Sequence, residues 1–121
     1  MVKRVPEIII AAALPILFQF PSSAHSFGAI AVDDSIKPPV FAIVTKQDSP
    51  GKAGNAAIGR CRSSGGRYCR IIENFDKCGA FATSSTAYGA GTGVRRKSAR
   101  NMALRNCGEN CEIVGVACED D

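Results

Sequence analysis

The chain has 121 residues, fifteen Lys and Arg against eleven Asp and Glu, a net charge of +4, six Cys, one His and no Trp. That length suits one small domain and excludes a large core, because chains of this size bury only about 60–65% of their unfolded surface. The mild charge and few aromatics argue against a nucleic-acid partner or a sugar-stacking platform.

The chain opens on Lys3-Arg4, continues as an almost wholly apolar run from Ile8 to Phe20, and then turns small and polar from Pro21 to Ser26. This is the layout of a secretory signal peptide. Cleavage is expected after Ser26, with cleavage after Ala24 also allowed, and an uncleaved membrane anchor is the competing reading. The run is too short for a bilayer span, which needs about 20 residues. The expected organisation is a signal peptide at 1–26 and a single exported domain at 27–121. Without Lys3, Arg4 and Glu7, thirteen basic residues face ten acidic ones, a net +3. The expected location is secreted or periplasmic, with no transmembrane span in the mature form.

Gly28 to Val32 and Phe41 to Thr45 are short β-branched and aromatic runs, punctuated by Asp33-Asp34-Ser35 and Pro38-Pro39, and they read as strands. Ala53, Ala57, Ile58 and Cys61 then fall on one face at helical period. Asp48 or Ser49 serves as N-cap and Pro50 suits the first helical position. Cys69 to Phe75 reads as the next strand. The same order then returns: strands at Gly79 to Thr83 and Tyr88 to Thr92, a helix from about Val94 to Cys107, and a strand from Cys111 to Ala117.

The residues repeat as well as the pattern. Gly28-Ala29-Ile30-Ala31 recurs as Gly79-Ala80-Phe81-Ala82. Ala53, Asn55, Ala57, Ile58 and Cys61 recur at constant offset as Ala99, Asn101, Ala103, Leu104 and Cys107. Cys69-Arg70-Ile71-Ile72 recurs as Cys111-Glu112-Ile113-Val114. The domain therefore divides into copies at about 27–76 and 77–121. The predicted fold is α+β: two tandem strand-strand-helix-strand repeats forming a mainly antiparallel sheet, with two helices packed on one face.

An even number of cysteines in a short exported chain reads as a disulfide framework. Six cysteines allow many connectivities. The repeat suggests Cys61–Cys69 and Cys107–Cys111, one helix-to-strand staple per copy, and leaves Cys78 with Cys118. The spacings C-x7-C and C-x3-C are not those of zinc knuckles, so no metal and no other cofactor is expected.

Gly28-Ala29-Ile30-Ala31, Ala53-x3-Ala57-Ile58-x2-Cys61, Cys69-x-Ile71-Ile72, Cys78-Gly79-Ala80, Ala99-x3-Ala103-Leu104-x2-Cys107, Cys111 and Cys118 together resemble the domain of unknown function 4189 family. The resemblance covers essentially the whole mature chain. It implies a small exported bacterial protein with paired cysteines, and it carries over no functional residues. The first copy departs from the second by a longer helix-to-strand connection, Arg62 to Tyr68, rich in Gly, Ser and Arg.

Catalytic chemistry is sparse. The sole His, His25, lies inside or beside the cleaved segment, so a Ser-His-Asp or Cys-His set is not expected. Paired cysteines supply no nucleophile. Asp33-Asp34 is the one carboxylate pair suited to hydrolysis, against a plain reading as a solvated turn. Glu119-Asp120-Asp121 reads as a solubilising tail. Gly89-Ala90-Gly91-Thr92-Gly93 precedes a helix like a phosphate-cradling loop, but it lacks the G-K-[ST] ending, and a strand needing close packing is the favoured reading. Arg95, Arg96 and Lys97 fall in the first turn of the second helix with Arg100 one turn on, where cations meet the positive end of the helix dipole. Those four residues form a candidate anion patch, with an anionic surface or an acidic protein as the partner it would take. The functional expectation is a non-enzymatic binding or effector-like module. The alternatives are a structural cell-envelope protein and, more distantly, a carboxylate hydrolase using Asp33 or Asp34.

Overall fold

The computed structural model describes residues 25–121; the expected signal segment up to residue 24 lies outside the described residues. The chain runs β1 (Phe27–Asp33), β2 (Val40–Gln47), α1 (Pro50–Ser63), β3 (Arg70–Phe75), β4 (Cys78–Thr83), β5 (Tyr88–Gly93), α2 (Arg96–Cys107) and β6 (Glu112–Cys118). This is strand-strand-helix-strand twice over, an α+β fold. Ser49 caps α1, its Oγ accepting the Lys52 N–H at 3.1 Å, and Pro50 opens the helix. α2 starts slightly later than the sequence predicts, with Arg95 outside it as the N-cap residue and the Ser98 hydroxyl accepting the Arg95 N–H.

All pairings are antiparallel. The six strands form two three-stranded sheets, ordered β2-β1-β3 and β5-β4-β6. One sheet with both helices on one face is therefore not the arrangement; each sheet carries its own helix. The reason lies in the central strands, which are apolar on both faces. Ala29 and Ala31 of β1 turn toward α1, while Ile30 and Val32 turn toward the other sheet. Ala80 and Ala82 of β4 turn toward α2, while Phe81 turns inward. A single sheet would leave Ile30, Val32 and Phe81 in water, at about 1.5–3 kcal/mol for each large side chain.

The result is four layers, helix on sheet on sheet on helix. The two helix-sheet layers are built largely from Ala and Cys, and the middle layer from Ile30, Val32, Phe75 and Phe81 with Phe41, Ile43, Ile72 and Tyr88 around them. Across the middle, β1 meets β4, β2 meets β6, and β3 meets β5. Exchanging the two repeats turns the second of these contacts into the third, so the copies are related by a pseudo-two-fold axis through the central core.

Small residues set the layer spacing. A Cβ on Gly89 or Gly91 would overlap the α2 backbone around Asn106–Cys107 or Ala99–Ala103. The Gly89–Gly93 segment is thus a strand pressed on a helix and not a phosphate loop. The Phe75 ring occupies the space that Cβ atoms of Gly28 and Gly79 would take. Those two glycines are equivalent positions of the repeat.

The disulfides are Cys61–Cys69, Cys107–Cys111 and Cys78–Cys118, and no cysteine is free. The first two tie each helix end to the strand that follows. The third joins residues directly opposite each other on β4 and β6. Chain entropy assigns about 4 kcal/mol to the Cys78–Cys118 loop and about 2–2.5 kcal/mol to each short one. Their sum is comparable to the net stability of a typical domain, about 5–15 kcal/mol.

Full thiol reduction under native conditions is expected to abolish the folded circular dichroism signal, and a reduced sample that keeps it would refute this. In chemical denaturation, Gly91→Val is expected to lower stability by about 3 kcal/mol. Gly59→Ala, on an open face of α1 with nothing within 4 Å of the new Cβ, is expected to raise it by about 0.5–1 kcal/mol.

Candidate functional site

Asp33 ends β1 and is fully buried. The sequence reading of Asp33-Asp34 as a solvated turn is corrected here for Asp33. Its Oδ1 accepts the Ser35 hydroxyl at 2.6 Å and the Ser35 N–H at 2.9 Å. Its Oδ2 accepts the N–H groups of Arg67 at 2.7 Å and Tyr68 at 3.0 Å. The Ser35 hydroxyl first, then the Tyr68 N–H, hold the carboxyl well below the usual range against the opposing effect of burial. This ionised side chain anchors the Arg62–Tyr68 connection, the segment in which the two repeats differ.

Asp34 has a different set of partners. Its Oδ2 accepts the Tyr88 hydroxyl at 2.9 Å and Arg70 Nη2 at 3.0 Å, and Arg70 Nη2 also donates to the Tyr88 oxygen at 2.8 Å. The Tyr88 hydrogen bond first, then Arg70, lower the Asp34 carboxyl, and burial raises the Tyr88 phenol. The Tyr88 ring stacks on Phe81 at 5.6 Å, and Phe81 on Phe41 at 4.5 Å. The trio joins the first repeat (Asp34, Arg70) to the second (Tyr88) beside a cleft of about 300 Å³ between the β1–β2 and β4–β5 turns. Ionised Asp33 and ionised Asp34 leave no carboxylic acid there to donate a proton at neutral pH.

At the start of α2, the structure separates the residues of the anion patch. Arg96 is paired with Asp121, whose other carboxylate oxygen accepts the Cys118 N–H at 2.8 Å. The Cys118 bond first, and Arg96 with it, lower the Asp121 carboxyl. Arg95, Lys97 and Arg100 have no carboxylate partner among the described residues. Arg95 and Lys97 border a shallow depression with Val94, Ser98 and Asn101.

The acidic tail is structural rather than only solubilising. Glu119 Oε1 accepts the Ser26 hydroxyl at 2.6 Å, a bond that belongs to a chain cleaved after Ala24 and not after Ser26, and the Lys46 N–H at 2.7 Å. The Glu119 backbone bonds Lys46 Nζ through its C=O and the Lys77 C=O through its N–H. This end of the molecule also holds a cleft of about 350 Å³ with His25 on its rim, 3.2 Å from Asp76. Cys118, Asp120 and Asp121 lie close together, but the Cys118 sulfur is committed to its disulfide.

Sequence reasoning missed the Asp33 anchor and the Asp34–Arg70–Tyr88 trio. Neither leaves a spacing motif, because Arg67 lies 34 residues from Asp33 and Tyr88 lies 54 residues from Asp34 in the chain.

The class defined by these features is a disulfide-stapled, two-repeat module in which the buried or paired polar groups serve the fold. The chain belongs to the domain of unknown function DUF4189 family, whose model matches residues 27–118. It is 33% identical over 72 residues to the uncharacterized proteins Rv1813c of Mycobacterium tuberculosis and Mb1843c of Mycobacterium bovis, an alignment covering 60% of this chain and 48% of each relative. The chain thus spans about half the length of these curated relatives. The NMR structure of Rv1813c is similar with a TM-score of 0.63 at 29% identity, covering 94% of this chain and 90% of that one.

The Asp33 arrangement has a pH consequence. A carboxyl lowered on folding contributes stability that is complete above its unfolded value of about 4 and is lost as pH falls below it. Asp33→Asn is expected to reduce the melting temperature at neutral pH, with the gap to wild type narrowing as the pH is taken below about 4. A gap independent of pH in thermal melts would contradict this role.

Proposed function

We propose that the domain is a non-enzymatic binding or effector-like module acting in the periplasm or outside the cell. The observation that carries the reading is the division of polar groups. Asp33, Asp34, Glu119, Asp121 and all six cysteines are committed to holding the scaffold, while Arg95, Lys97 and Arg100 are left without carboxylate partners among the described residues. Three disulfides in so small a domain fit an oxidising compartment. Among the described residues no helix is long and apolar enough to cross a membrane. The hydrolase alternative is weakened because glycoside-type hydrolysis needs one protonated carboxyl beside an ionised one, and both members of Asp33-Asp34 are held ionised. The structural-envelope alternative differs in requiring no discrete surface.

Arg95, Lys97 and Arg100 near the start of α2 form the surface through which this reading is tested. Arg95→Glu with Lys97→Glu is expected to weaken salt-sensitive co-sedimentation with cell-envelope fractions. The same changes replace cations by anions at a helix start, which is expected to stabilise the fold by about 0.3–1 kcal/mol each. Weaker binding by a more stable protein therefore separates a lost contact from misfolding. Unchanged co-sedimentation would remove the patch and favour the structural-envelope reading, which needs no discrete surface.

A further inference from the structure

The connection from α1 to β3 is longer than the fold requires. The second repeat makes the same step with Gly108-Glu109-Asn110 between its cysteines, whereas the first uses Arg62 to Tyr68, of which Arg62 and Ser63 still belong to α1. The longer loop is nevertheless fixed at several points. Cys61–Cys69 closes its ends. Gly65 takes a left-handed φ of 110°, a conformation in which a side chain would be strained. Gly66 is buried against the disulfide sulfurs, leaving no room for a Cβ, and its N–H donates to the Cys61 C=O at 3.0 Å. The buried Asp33 carboxylate receives the N–H groups of Arg67 and Tyr68.

What this backbone displays is unlike a solvated turn. Tyr68 is 69% exposed, a high value for an aromatic side chain held on an ordered loop. The Arg67 guanidinium lies 6.0 Å from the Tyr68 ring centroid, within cation–π range. Arg62 and Arg67 are exposed and have no carboxylate partner among the described residues. Tyr and Arg are the residue types that dominate protein-interface hot spots, and a loop fixed before contact loses little entropy on binding.

We propose that the end of α1 and the loop after it, from Arg62 to Tyr68, form a docking surface for an acidic segment of a partner protein. This rests on the binding-module reading and places a contact on the first repeat, apart from the α2 cations of the second. Charge complementarity selects the acidic partner: exposed Arg62 and Arg67 present bidentate donors to carboxylates, and the Tyr68 ring lies beside Arg67. An anionic membrane is the poorer match, because lipid recognition by charge uses clusters of about four to eight basic residues.

The test uses a fluorescein-labelled oligoglutamate peptide followed by fluorescence anisotropy. Wild type is expected to bind with an affinity that falls as salt rises. Arg62→Glu with Arg67→Glu, and separately Tyr68→Ala, are expected to lose at least about tenfold in affinity. Arg95→Glu with Lys97→Glu is expected to retain it. Asp33→Asn, folded as judged by circular dichroism, is expected to speed amide exchange at Arg67 and Tyr68 and to bind more weakly. Its net charge is more positive, so attraction by charge alone would make it bind more tightly. The inference is overturned if wild type does not bind the peptide, if the loop variants bind like wild type, or if phosphatidylglycerol vesicles bind through the loop and the peptide does not. In each of these cases, envelope binding lost only in the α2 variant leaves the binding-module reading standing.

Discussion

Everything in this fold follows from two strands that must be covered on both sides. β1 and β4 carry small residues on one face and Ile, Val or Phe on the other, and most of their residues are buried. A helix can approach the Ala face closely, and the bulky face needs another bulky face. Each repeat supplies one helix and one sheet, so neither can satisfy its central strand alone. Two repeats placed sheet to sheet satisfy both at once. The glycines of β5 bring α2 down onto its sheet, and Gly28 and Gly79 leave room for the one Phe75 ring that fills the space beside the axis.

Much of this was legible in the sequence. The repeat gave the element order, Ser49-Pro50 marked the start of α1, and a Cys at each helix end with another at the start of the next strand pointed to one staple per copy. The division into two sheets was harder to see, because alternation between small and large apolar residues looks like a uniformly hydrophobic strand. Ala29 and Ile30 score alike as apolar, and only their sizes separate a helix-facing position from a sheet-facing one. The polar network was less legible still. Asp33 reads as turn chemistry until the chain folds Arg67 and Tyr68 back onto it, and Asp34 acquires Tyr88 only when the repeats meet. Of the anion patch, the sequence identified the cations but could not show that Asp121 neutralises Arg96.

The two repeats have diverged where divergence does not disturb the shared core. The helix-sheet layers correspond nearly residue for residue, with Ala53, Ala57 and Cys61 answered by Ala99, Ala103 and Cys107. The helix starts and the helix-to-strand connections differ. α1 begins from Asp48-Ser49-Pro50 and leads into a long basic loop, whereas α2 begins among cations and ends in a short turn. Divergence of this kind lets a duplicated scaffold present two unlike surfaces while its stability depends on one repeated solution.

The bonds around Glu119 carry a consequence for how the halves are joined. Ser26, at the entrance to the first repeat, touches Glu119, at the exit of the second, and Glu119 in turn bonds Lys77 in the link between the repeats. Entrance, exit and link therefore share one edge of the molecule. The covalent order of the halves is a matter of which neighbouring ends are spliced. A circularly permuted chain, opened between Asp76 and Lys77 and joined from Asp121 to His25 by a short linker, would present the same layers to itself. In that sense the domain is a symmetric dimer written as a single polypeptide.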